Sequence, residues 1–404
     1  MKAEAPARPY RSSADRGARS ADDASSARGM SAPPPGVSAP VFTRPRPPVL
    51  PRPRTRLLTA ASVGDADRYH NYLNYLSRHA RERNVTGLQT NRRLRIRVLD
   101  TAGRPINNAK IQVQVAQGQE IVGHSHADGR WAFFPSLVNA PSGSATLSVS
   151  AGQRTVRARV SLPHQGDAQQ LTVRLPVNAI RPKALDLAFV IDVTGSMSDE
   201  LRYVNGEIAD ITRRIRLAVP NTDIRVSGVF YRDRSDARPL EILRFTRDVR
   251  GFGRAMTRIR ASGGGDYPED MAAGLHLAMR SLDWRRGNVV RAMILIADAP
   301  PKRYRDASYS CRHALLEASQ RGIRILPVAA SGANRTVEYL FRAMGVATST
   351  PYVYLTDDSG VGNAHMEADT DRVGVERFND LLTRLVVSDL RGQGMHEPGQ
   401  LGPR

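Results

Sequence analysis

Three short stretches of this chain concentrate hard oxygen donors. Asp192, Thr194 and Ser196 alternate within Asp192-Val193-Thr194-Gly195-Ser196-Met197-Ser198. Asp266 lies in the glycine-rich run Ser262-Gly263-Gly264-Gly265-Asp266-Tyr267-Pro268-Glu269-Asp270, and Asp298 sits between Ile296-Ala297 and Ala299-Pro300-Pro301. Together the hydroxyls of Thr194 and Ser196 and the carboxylates of Asp192, Asp266 and Asp298 offer an all-oxygen shell to one divalent cation. Mg2+ is the first choice, with Mn2+ or Ca2+ also suited, whereas a thiolate-loving metal is not. Because Mg2+ gives up water reluctantly, at least one carboxylate is expected to act through a bound water. Each motif alone reads equally well as a helix cap, since Asp, Ser and Thr favour helix starts and Pro268 suits a first turn. Only their convergence separates a metal site from a set of caps.

The elements that must bring them together are legible. ALDLAFVID (184–192), DIRVSGVFY (223–231), VVRAMILIAD (289–298), GIRILPVAA (322–330) and PYVYLTD (351–357) are continuous apolar runs, as expected of strands buried on both faces of a parallel sheet. Leu201, Val204, Ile208, Ile211 and Ile215 recur at three-four spacing, one face of a helix packed on that sheet. The expectation is an α/β doubly wound, mostly parallel, Rossmann-like sheet, which binds ligands at the carboxyl ends of its strands. Asp192 and Asp298 end two of those strands.

The order of the three motifs resembles the von Willebrand factor type A (VWA) domain. The first matches its D-x-S/T-x-S metal-ion-dependent adhesion site, and the likeness extends over 183–390 to late features such as Tyr354-Leu355-Thr356-Asp357-Asp358-Ser359-Gly360. The resemblance implies a non-enzymatic, divalent-metal-dependent protein-binding module of adhesion type, whose partner completes the metal shell with an acidic side chain. Adhesion-type members place a Thr in the middle loop, whereas this chain has Asp266 in a GGGDxPE phrase. The added negative charge would hold the cation more tightly and make it a weaker acceptor for an acidic partner. An alternative within the family is a cytosolic adaptor for an ATPase or a secretion complex.

Upstream, LRIRVLD, AKIQVQVA, RWAFFP, ATLSVSA, TVRARVSL and LTVRLPV alternate with period two between turn residues, so 91–178 is expected to be a small antiparallel β-sandwich. On Gly103, Pro105, Ala109, Asp128, Gly129 and Phe133 it resembles the carboxypeptidase-regulatory-like (transthyretin-like) domain, an accessory fold; the pairing with a VWA domain resembles exported bacterial surface proteins. His124 and His126 flank Ser125 as if on one exposed polar strand face, and no third ligand accompanies them. Residues 57–90, with Tyr69, Tyr72, Leu73 and Leu76 at helical spacing, read as a short packing helix. Residues 1–56, rich in Pro, Ser and Arg, read as a disordered tether, and 391–404 as a flexible tail.

Composition narrows the remaining choices. Cys311 is the single cysteine, which excludes an internal disulfide framework and a multi-cysteine zinc site; its setting reads as the start of a helix. The formal charge is +20, carried by Arg except at Lys2, Lys110, Lys183 and Lys302. No recognition-helix, RRM or KH pattern focuses it, so electrostatic contact with anionic surfaces is expected and specific nucleic-acid binding is not. No run is long and apolar enough to span a membrane. A phosphoryl-transfer enzyme of haloacid dehalogenase type would need D-x-D-x-T, and Thr194 in the second acid's place cannot transfer protons near neutral pH. No Walker A loop, nucleophile elbow or H-E-x-x-H occurs. The reading is a binding protein, not an enzyme. The resemblance points to the cell envelope or secretion, and the given start, which lacks a signal-like segment, to the cytoplasm.

Overall fold

The computed structural model describes residues 58–115, 118–265, 267–357, 365–371 and 374–396. The expected tether, Asp266 and the last residues of the tail lie outside them; the described residues belong to one compact unit, Thr55–Arg404. In chain order the elements are β1 (Thr59–Val63), α1 (Tyr69–Arg78), α2 (Ala80–Thr86), β2 (Arg93–Asp100), β3 (Lys110–Gln114), β4 (Glu120–His124), β5 (Arg130–Phe133), β6 (Gly143–Ala151), β7 (Arg154–Leu162) and β8 (Ala168–Leu175). There follow β9 (Ala184–Asp192), α3 (Ser198–Ala218), β10 (Asp223–Tyr231), β11 (Leu240–Thr246), α4 (Val249–Met256), α5 (Met271–Ser281), β12 (Val290–Ala297), α6 (Cys311–Arg321), β13 (Ile323–Ala329), α7 (Arg335–Thr348), β14 (Tyr352–Leu355), β15 (Glu376–Arg377) and α8 (Phe378–Leu390).

Among the described residues, eight strands form one sheet in the order β11-β10-β9-β12-β13-β14-β1-β15. The run from β10 to β14 is parallel, and β11, β1 and β15 join it antiparallel. Alternation along β9 explains why its positions between Asp186 and Asp192 are all apolar: Leu185, Leu187, Phe189 and Ile191 enter the core under α3, α4 and α8, while Ala188 and Val190 enter the core under α1, α5, α6 and α7. The sheet is thus covered on both faces. The α3 stripe of Leu201, Val204, Ile208, Ile211 and Ile215 is at most 3% exposed, each side chain contributing about 1.5–3 kcal/mol of burial.

Residues 57–90 do more than the helix expected of them. Ahead of α1, β1 pairs with β14 (Ala61 opposite Tyr354) and with β15, adding a strand to the large sheet. The helix itself packs Tyr69, Tyr72 and Tyr75 inward, and the Tyr69 and Tyr72 hydroxyls meet Thr90 at 2.6 Å. The strand-rich module β2–β8 is therefore inserted between two parts of one sheet.

Within that module β5-β2-β8 and β4-β3-β6-β7 form two sheets around a shared core that includes Ile96, Ile111, Trp131 and Val149. Contrary to the all-antiparallel expectation, β2 and β8 run parallel in register from Arg93↔Ala168 to Asp100↔Leu175. The module docks on α6 and β13. Trp131 Nε1 donates to Ser319 Oγ at 2.8 Å, and its indole lies where a Cβ on Gly123 would come within 2.1 Å, so only glycine fits there. His124 and His126 do not form an exposed polar face: His124 Nδ1 stands 2.5 Å from Gln320 O, and His126 is 5% exposed, its pKa driven well down by burial and by Arg324. Arg324, 1% exposed, pairs with Asp128 at 2.9 Å and with Asp389 at 3.1 Å, joining module, sheet and α8. Residues 391–396 of the expected tail pack here as well, with Met395 buried and His396 against Asp67 and Arg130.

Candidate metal centre

The site forms where β9, β10 and β12 deliver their carboxyl ends to one edge. Asp192 is the last residue of β9 and is fully buried. The turn after it keeps Thr194 extended, at φ −70° and ψ 169°, so that the Thr194 N–H and Oγ1 both donate to Asp192 Oδ1, at 2.9 and 2.7 Å. Ser196 Oγ lies 3.3 Å from Thr194 Oγ1. None of these side chains caps α3, whose N-cap Met197 has no side-chain hydrogen bond, so capping does not account for them.

Two polar anchors hold the middle loop over this turn. The Arg232 guanidinium donates to the carbonyls of Arg260 and Ser262 at 2.7 and 3.1 Å, and Asp236 Oδ2 accepts from the Gly264 N–H at 3.0 Å. Backbone bonds Ser262 N to Val193 O and Gly195 N to Gly263 O lace the two loops together. Gly264 has φ +75°, and a Cβ there would come within 2.9 Å of Glu269 Oε1 and 3.2 Å of Thr194 Cβ; the glycines are needed for close approach. Asp266 lies outside the described residues. Its neighbour Tyr267 donates to Asp298 O at 3.1 Å and Gly332 O at 3.0 Å, tying the loop to the end of β12. Asp270, by contrast, is a true cap, accepting from Ala273 N at the start of α5.

Asp298, one residue past β12 and 2% exposed, faces Asp192. Burial and Asp298 push the Asp192 carboxyl up to about 7. Burial likewise raises Asp298, against a hydrogen bond from Ser196 and with the help of Glu200. The structure thus brings together Asp192, Thr194, Ser196 and Asp298.

It also adds acids that the sequence reading did not single out as donors. Glu269, 4% exposed, is pushed up to about 9 by burial and by Asp192 and Asp233. Asp233, just past β10, accepts from Lys302 Nζ at 2.5 Å and Tyr304 OH at 3.2 Å. Glu200, fully buried in the first turn of α3, accepts from Ser331 N at 2.7 Å and lies 3.3 Å from His365 Nε2. Asp192 Oδ2, Asp298 Oδ1, Glu269 Oε2 and Glu200 Oε2 are buried without a hydrogen-bond partner among the described residues. Oxygens stranded in this way are costly, and a hard cation is the species whose chemistry would satisfy several at once. Among the described residues no group of three or more His, Cys, Asp or Glu side chains is placed to hold a metal ion.

The family described as "von Willebrand factor A domain" matches residues 186–361. The chain is 35% identical over 130 residues to the alpha-protein kinase vwkA of Dictyostelium discoideum, a match covering 32% of this chain and 20% of the kinase. It is 32% identical over 117 residues to a protein of Acanthamoeba polyphaga mimivirus named as an ariadne-like RING finger protein, covering 29% and 11%. It therefore spans no more than a fifth of either relative. Among solved structures, proximal thread matrix protein 1 from the mussel byssus aligns with 13% identity and a TM-score of 0.34 over 56% of this chain and 55% of its own. The SpRpn10 VWA domain aligns with 14% identity and a TM-score of 0.30 over 42% and 85%.

Proposed function

Residues 186–361 being a von Willebrand factor A domain, a module of protein interaction, we propose that this chain binds a protein partner through one divalent cation held at the carboxyl edge of the large sheet. Mg2+ is the cation of choice and Mn2+ or Ca2+ its substitutes. Thr194 and Ser196 would hold it through their hydroxyls, and Asp192, Asp266 and Asp298 through their carboxylates, directly or by way of water. The bound cation would supply a Lewis-acidic position for an acidic side chain of the partner. The chain's own residues orient it: Thr194 fixes one Asp192 oxygen and leaves the other directed at the site, and Arg232 and Asp236 hold the middle loop over it. The observation that carries the reading is the set of stranded oxygens on Asp192, Asp298 and Glu269, acids forced together in a buried space.

In this reading the domain binds and does not catalyse. The position where a phosphoryl-transfer enzyme would carry its second acid is Thr194, whose hydroxyl is spent on Asp192 at 2.7 Å. The kinase relative shares only its VWA part with this chain. The module 91–178 is taken as an accessory domain of carboxypeptidase-regulatory-like kind, and the whole as an adhesion-type protein of bacterial type. The partner's acidic group would meet a cation already shared with Asp266, which favours metal retention over affinity for the partner.

Thermal melts of the full chain with Mg2+, Mn2+ and EDTA test this. Metal at a hundredfold excess over its dissociation constant should stabilise the protein by about 2.7 kcal/mol. Asp192→Ala, Ser196→Ala and Asp298→Ala should each remove that gain. Wild-type melting indifferent to all three additions would defeat the proposal.

A further inference from the structure

At the opposite edge of the same sheet, where β12 and β13 begin, lies a cavity of 480 Å3 between the strand-rich module and the large sheet. Arg280, Arg285, Arg286, Arg291 and Arg321 line it, and among the described residues Asp283 is the only acid on its wall. Arg291, at the start of β12, is about 23 Å from Asp298 along the strand at 3.3 Å per residue, so this cavity is separate from the metal centre.

The arginines divide by what neutralises them. Arg285 is paired with Asp186 and Asp223, at 2.8 and 2.7 Å, and Arg280 with Glu317 at 2.5 Å. Asp283, mostly exposed, pairs outward with Arg225. The other three are differently placed. Arg291 is 5% exposed, and its guanidinium donates only to neutral oxygens: Arg285 O at 2.5 Å, Gly287 O at 2.9 Å, Asn108 Oδ1 at 3.2 Å and Arg321 O at 3.3 Å. Burial and the neighbouring Arg285 push its pKa down to about 10, against the pull of Asp186. Arg321 donates to Met279 O at 2.5 Å, and Arg286 is exposed; neither has a carboxylate partner among the described residues. Burying the Arg291 guanidinium without an anion is expensive; with its N–H groups largely engaged by these oxygens it would be compensated by the charge of a bound anion, while Arg286 and Arg321 are the side chains suited to hydrogen-bond a phosphate's oxygens.

We infer that this cavity binds a phosphorylated small molecule, a phosphate monoester of about mononucleotide size. The ester's phosphate carries close to two negative charges and three acceptor oxygens near neutral pH, enough to neutralise Arg286, Arg291 and Arg321 together. The volume exceeds what an inorganic ion fills and lies within the range of small-molecule sites. Leu282 and Trp284 supply apolar wall for the remainder of the ligand. Asn108 and His124 reach the cavity from the strand-rich module, so an occupant would also clamp that module to the sheet.

The test is calorimetric titration of the full chain in EDTA, which keeps any phosphate from bridging a metal and makes the outcome independent of the metal reading. Adenosine 5′-monophosphate, inorganic phosphate and sodium chloride at matched ionic strength are the probes. Saturable binding of the monophosphate, tighter than inorganic phosphate, is expected. Loss of a charged contact should weaken it by roughly tenfold or more in Arg286→Glu and in Arg321→Gln, both half-buried or exposed positions whose replacement leaves the buried Arg291 in place. Heat matched by sodium chloride, affinity no better than that of inorganic phosphate, or unchanged affinity in both variants would each overturn the assignment.

Discussion

Two aspartates on one strand, Asp186 near the start of β9 and Asp192 at its end, are both fully buried and have opposite surroundings. Asp186 accepts from Arg225 Nε and Nη2 at 2.9 and 2.8 Å and from Arg285 N and Nε at 2.8 Å. Burial works against its charge, yet the two arginines hold the carboxyl below the usual range. Asp192 accepts from the Thr194 N–H and Oγ1 on one oxygen and, among the described residues, has only the Tyr231 hydroxyl beside its carboxyl otherwise; burial and Asp298 push it up to about 7. The same residue type at the same depth is thus braced by cations at one edge and crowded by another acid at the other. What separates the two is the sign of the neighbours, not burial.

The largest effect that could break this contrast comes from removing each acid. Asp186→Ala leaves Arg225 and Arg285 without a buried anion and should cost about 3–5 kcal/mol of stability, measured by urea unfolding. Asp192→Ala in EDTA should leave stability unchanged or raise it, since one repelling charge is gone. Equal losses for the two would erase the distinction.

The pH dependence sharpens it further. A carboxyl whose folded pKa stands above its unfolded value of about 4 binds its proton more tightly in the folded protein. Its stabilisation is complete below that unfolded value and is lost as pH rises toward the folded pKa, about 7 for Asp192 and about 9 for Glu269. In EDTA the protein should therefore lose about 1.4 kcal/mol per pH unit for each such group as pH rises from 5 to 7, and saturating Mg2+ should flatten the slope. Stability that climbs with pH in EDTA would show that the lower-edge pairs dominate instead.

A smaller effect should follow Gly264→Ala, which meets a positive φ together with Glu269 and Thr194. It should cost about 1–2 kcal/mol and weaken Mg2+ binding in the same melts. An unaltered metal response would mean that the middle loop does not shape the site. Smallest is Trp131→Phe, where the strand-rich module docks on α6. Losing the bond to Ser319 should cost about 1 kcal/mol and leave the Mg2+ shift untouched.

Much of this was legible in the residues. The runs at 184–192 and 223–231 coincide with β9 and β10 because strands covered on both faces are apolar over most of their length. Asp192, Thr194, Ser196 and Asp298 could be placed because strand ends fix where side chains converge. What escaped was set by distant partners. β1, TAASV, is short and small-sided, and only pairing with β14 and β15 makes it a strand. β11 is a partly exposed antiparallel edge with no buried run to betray it. Glu200 reads as an ordinary acid in a helix's first turn, and Asp233 as a loop residue, until the fold brings Ser331 to the one and Lys302 and Tyr304 to the other. The parallel pairing of β2 with β8 is likewise invisible to alternation, which is the same for either direction.

The position of β1 bears on how the protein is made. Thr59 hydrogen-bonds to Thr356, 297 residues away in sequence, and at 5–20 residues per second a ribosome needs roughly 15–60 s to traverse that interval. Throughout it β1 and the tyrosine face of α1 have no sheet to join, while the inserted module β2–β8 has its own core and emerges first as a complete unit. Closing so long a loop is slow, so the final step of folding should be the capture of β1 between β14 and β15, and the nascent chain's need for protection should last until residue 377 has cleared the exit tunnel.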